Sequence, residues 1–470
     1  WLIRVSTTFV GSLFARQARK FHTSTPRNKK VCRRPNVLRR QYVVAVDMGY
    51  GHQRAAYPLK QIARCPRGCP PEGDNILNAN NYQGIPGGDK GEWKSSRKVY
   101  ETISRMKKIP LVGQNIFDAM DYFQRIEPFY PRRDLSKPTM QLKSIYNMIH
   151  QGWGRHLIDM LNEEPLPFVT SFFIPAFFAD EHEYKGDIYA ICTDTDVSRA
   201  WAPLNPKKSR IKYLVPNKRV RERLKLYGVP DQRIFVTGFP LPKENIGKDL
   251  RILKNSLGAR ILNLDPAGRY RAKYHKTIDQ YLGKQYCKQK SKRPLTITFA
   301  VGGAGAQREI GITIMHSLKK YIKAGKVVLN LVAGSRSEIH YYFKKQIQAA
   351  GLSKKVNIVF DPHKLDYFGL FNKTLLTTDI LWTKPSELSF YAALGIPIIM
   401  APTIGSQEEF NRSWLHSINA GFEQEDPRYT HEWLFDWLDS GWLAEAAMEG
   451  FLDAPRNGAY HIEDIVYIGE

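Results

Sequence analysis

The chain has 470 residues and a formal net charge of +25, with 43% hydrophobic and 12% aromatic residues. That length suits two or three domains with cores of their own, and that composition excludes a disordered or fibrous chain. No apolar run reaches the ~18–20 residues needed to span a bilayer; PFVTSFFIPAFFA (167–179) fits buried strand and loop better.

Residues 1–46 carry eleven Lys/Arg and no acid, with Leu2, Val5, Phe9, Leu13 and Phe14 at roughly helical spacing. Residues 1–40 therefore read as a presequence-like leader, mitochondrial first and plastid second. A basic arm docking on an acidic partner is the alternative. Next, an apolar strand (42–46) runs into Gly49, Gly51 and His52 before a helical stretch. Residues 65–95, rich in Gly, Pro and Asn, read as loop. Helices are expected over 97–125 and 139–162, and strands over 168–173, 188–192 and 212–215. KRVRERLKLYG reads as a helix closed by Gly228, and the strand RIFVTG follows, ending an N-terminal domain of residues 41–242.

Residues 243–293 are basic, polar and weakly patterned, and read as a linker. Over 294–422 the alternation resumes, with strands at 295–300, 327–333, 356–360, 379–382 and 396–401 and helices between them. Residues 423–470 form an acidic helical tail with twelve acids against two arginines, and its Trp433, Trp437 and Trp442 are expected to pack inward. The β–α alternation predicts an α/β fold of two Rossmann-like doubly wound domains. The five cysteines show no disulfide pattern, and CPRGCP supplies only half a zinc site, so no metal is expected.

Two glycine-rich turns carry the chemistry. Gly49 and Gly51 follow the first strand, while Gly302, Gly303 and Gly305 follow the strand 295–300. A strand entering a helix through glycines presents backbone N–H groups to an anion. Arg308, in the first turn after the second, either adds charge or is solvated. Asp194 and Asp196 of TDTD read as caps of the next segment more readily than as a metal pair.

The block DILWTKPSELSFYAALGIPIIMAPTIGSQEEFN (379–411) resembles the donor segment of GT-B glycosyltransferases, in the group of bacterial peptidoglycan N-acetylglucosaminyltransferase and plant monogalactosyldiacylglycerol synthase. Thr383, Lys384, Pro385, Ala393, Leu394, Gly395 and Pro397 match, and Gly405, Gln407, Glu408 and Asn411 match with Ser406 inserted. Ser386-Glu387 stands where that group has a Gly-Gly pair. ICTDTDVSRAWAP (191–203) and YLVPNKRVRERLKLYGVPDQRIFVTGFPLP (213–242) resemble its N-terminal domain, and His52 stands where it has a Gly-Gly-Gly-His loop.

The resemblance implies a GT-B-like fold and a nucleotide-diphosphate sugar as donor substrate, with no further cofactor. It places the pyrophosphate at Gly302, Gly303 and Gly305. Thr383 and Glu387 would lie at the ribose, Gln407 and Glu408 at the sugar, and His52 at the reacting centre. The expected activity is hexosyl transfer to a lipid or other acceptor in an organelle, the basic half resting on an anionic membrane surface. The rival reading is a catalytically inactive structural subunit of a mitochondrial assembly such as the ribosome, its basic runs bound to ribosomal RNA and proteins. A nucleotide-sugar epimerase of the same architecture is a third.

Overall fold

Short runs of β-branched and aromatic residues fold as strands in two parallel sheets. The computed structural model of the protein describes residues 40–66, 75–95, 126–288, 291, 293–300, 305, 307–403 and 406–468. The chain divides into two units, Trp1–Leu38 and Arg39–Glu470, and every described residue lies in the second. The leader and the helix expected at 97–125 lie outside the described residues.

The N-terminal sheet contains β1 (Tyr42–Ala45), β2 (Ile76–Asn78), β3 (Phe168–Thr170), β4 (Ile188–Ile191), β5 (Lys212–Val215) and β6 (Ile234–Val236), in the order β2-β1-β3-β4-β5-β6. The second sheet contains β7 (Leu295–Ala300), β8 (Val327–Gly334), β9 (Val356–Phe360), β10 (Ile380–Thr383), β11 (Ile398–Met400) and β12 (Gly421–Glu423), in the order β12-β11-β10-β7-β8-β9. Every pairing between these strands is parallel. The fold is thus α/β with two Rossmann-like doubly wound lobes, as expected. Strand order reverses between β1 and β3 in one sheet and between β7 and β10 in the other. Ligands of open α/β sheets bind outside the carboxyl ends of strands at such points.

The pleat sorts the N-terminal sheet into two faces. Tyr42, Val44, Phe168, Ile188 and Tyr213 pack into a core of that lobe alone. Val43, Ala45, Val169, Tyr189 and Leu214 instead join the core of the second lobe. That shared core also takes in the helix Arg251–Leu264, which buries Leu253, Leu257, Ile261 and Leu264 along one stripe. Buried Arg260 donates to the carbonyls of Leu375, Thr378, Leu394 and Gly395. An arginine on the inner face hides the apolar stripe, which is why this segment reads as weakly patterned.

Other expectations are corrected. Residues 76–78 form edge strand β2 inside the presumed loop. The run 167–179 holds the helix Phe173–Glu181, whose Pro175 falls in the first turn where no intrahelical N–H is needed. Trp433 and Trp437 pack against the core, but Trp442 is 52% exposed. Cys65 is disulfide-bonded, against the expectation of unpaired thiols, and Cys192 is free and buried. Among the described residues no helix is long and apolar enough to cross a membrane.

Candidate functional site at the interlobe crevice

After β1 the chain turns through Gly49, whose φ of 133° suits glycine, and enters the helix Tyr50–Ala56. Tyr50 and Arg54, four residues apart, share one face and reach into the second lobe. The Ser335 backbone N–H donates to the Tyr50 hydroxyl at 2.8 Å, and the Ser335 hydroxyl lies 3.1 Å from it. A Cβ at Gly334 would collide with that hydroxyl. Arg54 is 3% exposed and pairs with Glu387 at 3.2 Å. Its guanidinium sits 4.3 Å from the Phe371 ring centre and 5.1 Å from that of Phe368, and donates to the Tyr367 hydroxyl. Arginine suits such a stacked, forked environment, and it stays charged there.

His52 lies on the same short helix. Its Nδ1 is 2.8 Å from the Ser171 carbonyl, just past β3. A carbonyl only accepts, so Nδ1 carries the hydrogen and Nε2 the lone pair. Phe172 packs on the ring at 4.6 Å. Burial draws the imidazole pKa from 6.5 to about 4, over the raising effects of the Ser171 carbonyl and Glu387, so His52 is neutral at pH 7. Gly51 approaches the same carboxylate: a Cβ there would lie 3.4 Å from a Glu387 oxygen.

A second bridge joins the end of β4 to the helix Ser406–Ser417. Asn411 Oδ1 accepts from the Thr195 N–H at 3.0 Å and from its hydroxyl at 2.9 Å, while Asn411 Nδ2 donates to Asp194 at 3.3 Å. Burial, then the negative field of Glu387 and Glu408, raise the Asp194 pKa from 3.8 to about 6, opposed by the Asn411 hydrogen bond and Lys384. Asp196 turns the other way and takes Arg219 and Arg223 at 2.9 Å each. A third bridge is Lys364–Asp47 at 2.6 Å.

Thr383 ends β10 and is 1% exposed. Lys384 follows and pairs with Glu408 in the first turn of the helix Ser406–Ser417. Gln407 sits beside Glu408, half-buried. Past β7, Gly305 has φ 72°, and the helix Arg308–Ser317 begins soon after. Arg308 lies over the Tyr342 ring at 4.3 Å and pairs with Glu309, so it is occupied locally. Gly302 and Gly303 lie outside the described residues. Among the described residues no cluster of three metal-ligating side chains occurs.

Residues of both lobes thus meet: Gly51, His52 and Arg54 come up to Glu387, and Asn411, Glu408 and Lys384 to Asp194. Sequence reading missed Tyr50 and Arg54. The signal was an arginine placed four residues after Tyr50, just before the apolar run AAYPL.

A family model described as a domain of unknown function (DUF6938) matches residues 263–368, a stretch that runs from the connecting helix through β9. No curated protein matches the chain. Among solved structures, the chain is similar to UDP-GlcNAc 2-epimerase from Neisseria meningitidis bound to UDP-GlcNAc, at 13% identity and TM-score 0.39, covering 72% of this chain and 84% of that one. It is also similar to MurG from Acinetobacter baumannii, at 13% identity and TM-score 0.38, covering 70% and 78%. A third is Anabaena Alr3699/HepE in complex with UDP, at 12% identity and TM-score 0.36, covering 67% and 80%.

Proposed function

We propose that the chain is a GT-B-type glycosyltransferase that moves a hexosyl group from a nucleotide-diphosphate donor to an acceptor in the interlobe crevice. One observation carries this reading. The segments that follow β1 and β10, at the switch points of the two sheets, meet through the Arg54–Glu387 ion pair, and the Asp194–Asn411 hydrogen bond joins the lobes beside it. A cluster in which Arg54, Glu408 and Asn411 are buried and His52, Asp194, Lys384 and Glu387 half-buried is costly to hold unless paired or used.

In this reading the donor binds the second lobe. The turn holding Gly302, Gly303 and Gly305 receives the diphosphate on main-chain amides, Thr383 and Glu387 meet the ribose, and Gln407 and Glu408 meet the sugar. Glu387 is already paired with Arg54, so donor entry requires the lobes to part there. The acceptor hydroxyl attacks the anomeric carbon, and the bond to the diphosphate oxygen breaks with its electron pair leaving on the diphosphate. His52 Nε2, bearing a lone pair, accepts a hydrogen bond from that hydroxyl and orients it. A lipid acceptor, a mitochondrial location and contact with an anionic membrane belong to this proposal.

The test is UDP release from UDP-GlcNAc, UDP-glucose and UDP-galactose by the purified chain. Release that falls about 100-fold in His52→Ala supports the reading, and absence of both binding and release refutes it. A second reading is favoured by the Arg54–Glu387 pair, which engages the carboxylate expected at the ribose: a former transferase kept as a structural subunit of a mitochondrial assembly such as the ribosome. Salt-resistant co-sedimentation with ribosomal particles, without any UDP-sugar binding, selects that reading.

A further inference from the structure

Resting on the transferase reading, we infer that Asp194, and not His52, takes the proton of the attacking hydroxyl or water. TDTD places two carboxylates two residues apart at the end of β4, and the fold gives them opposite surroundings. Asp196 is clamped by Arg219 and Arg223 and is thereby committed to structure. Asp194 meets the second lobe, with the Asn411 amide as its hydrogen-bond donor at 3.3 Å and Glu387, Glu408 and Lys384 acting on it, and no ion pair engages it among the described residues. Two acids with divergent environments are how a site separates a proton carrier from a scaffold group.

The groups bearing on Asp194 are Glu387 at the start of the 3-10 helix Glu387–Leu394, Glu408 and Asn411 on the helix Ser406–Ser417, Lys384 after β10, and the Cys192 thiol on its own strand end. Burial and the two glutamates move its titration to about pH 6, near the working range that favours a general base. The other candidate is held back. His52 spends its Nδ1 hydrogen on Ser171, and burial lowers its pKa to about 4, so it is the weaker base.

The step balances with water as the nucleophile. A water oxygen forms the bond to the anomeric carbon, its proton passes to an Asp194 carboxylate oxygen, and the anomeric C–O bond breaks with its electrons leaving on UDP.

The experiment follows UDP release from the same three UDP-hexoses between pH 4.5 and 8.5 in the full chain. Wild-type release is expected to rise through about pH 6 and then level off. Asp194→Asn should lose at least 100-fold of the plateau and the rising limb with it. Asp194→Glu, which keeps a carboxylate, should restore both in part. His52→Ala should lower the plateau while leaving the limb in place. A limb that persists in Asp194→Asn, or disappears in His52→Ala, overturns the assignment and leaves the transferase reading standing. Wild-type protein that releases no UDP sinks that reading and this inference together. Cooperative thermal unfolding of Asp194→Asn shows that its loss is not a folding defect, and the Glu variant decides the matter if it is.

Discussion

Between about pH 4 and 6 the two buried groups of the crevice titrate in opposite senses. His52 falls from 6.5 to about 4 on burial, so in that window the native state has given up a proton that the unfolded chain holds. Its contribution is in place above pH 6.5 and is lost as pH falls through 4. Asp194 rises from 3.8 to about 6, so the native state holds a proton that the unfolded chain has lost. Its contribution is in place below pH 3.8 and is lost as pH rises through 6. Proton uptake at one offsets release at the other, so their joint effect on stability is nearly flat there. Asp194→Asn should leave stability rising with pH, and His52→Gln should leave it falling, each by up to ~1.4 kcal/mol per pH unit. Urea titrations at pH 4.5, 5.25 and 6 read the two slopes, and parallel slopes would refute the account.

At the level of elements, the helix Lys218–Leu226 shows how charge can be structural. Asn217 caps it, accepting from the Val220 N–H at 2.9 Å, and Arg219 and Arg223 fix it to Asp196. Asp196→Ala strands fully buried Arg223 and should cost about 3–5 kcal/mol, measurable as a lowered urea midpoint. Most strands were legible because apolar runs of four to eight residues bounded by turns have few other readings. β2 and β12 were not, since ILN and GFE are too short to stand out, the first within a glycine- and asparagine-rich loop and the second in a stretch read as helical. The helix Arg251–Leu264 escaped because Arg260 interrupts its stripe, and the helix Phe173–Glu181 because a helix buried all round has no period. In the crevice, His52 and Glu387 were legible from flanking motifs. Arg54 was not, because its partner lies 333 positions away in sequence.

For the whole molecule, the net charge of +25 overstates the free positive field. Of the nine basic residues in 206–225, five (Lys212, Arg219, Arg221, Arg223 and Lys225) are ion-paired with Asp187, Asp196, Asp231 or Glu222. This segment should therefore contribute few released counterions to any polyanion contact. Replacing Lys207 and Lys208 together with Ala should leave the salt slope of RNA binding shallower by no more than about 2 in log–log form. The lobes themselves are held shut by Arg54–Glu387, Tyr50–Ser335, Thr195–Asn411 and Asp47–Lys364. Glu387→Gln weakens the first of these, and a larger radius of gyration by X-ray scattering is its expected signature. An unchanged radius would show that the remaining bridges suffice.

The C-terminal helix Gly458–Ile468 carries a practical lesson for anyone handling this protein. It buries Ala459 and Ile462, places His461 2.9 Å from the Thr237 carbonyl and pairs Glu463 with Lys243, so residues 458–468 are stitched onto the segment that leaves the N-terminal lobe. Recombinant versions shortened at residue 457 would bare greasy surface and should precipitate during purification, and neither half of the gene, expressed separately, would yield a soluble product.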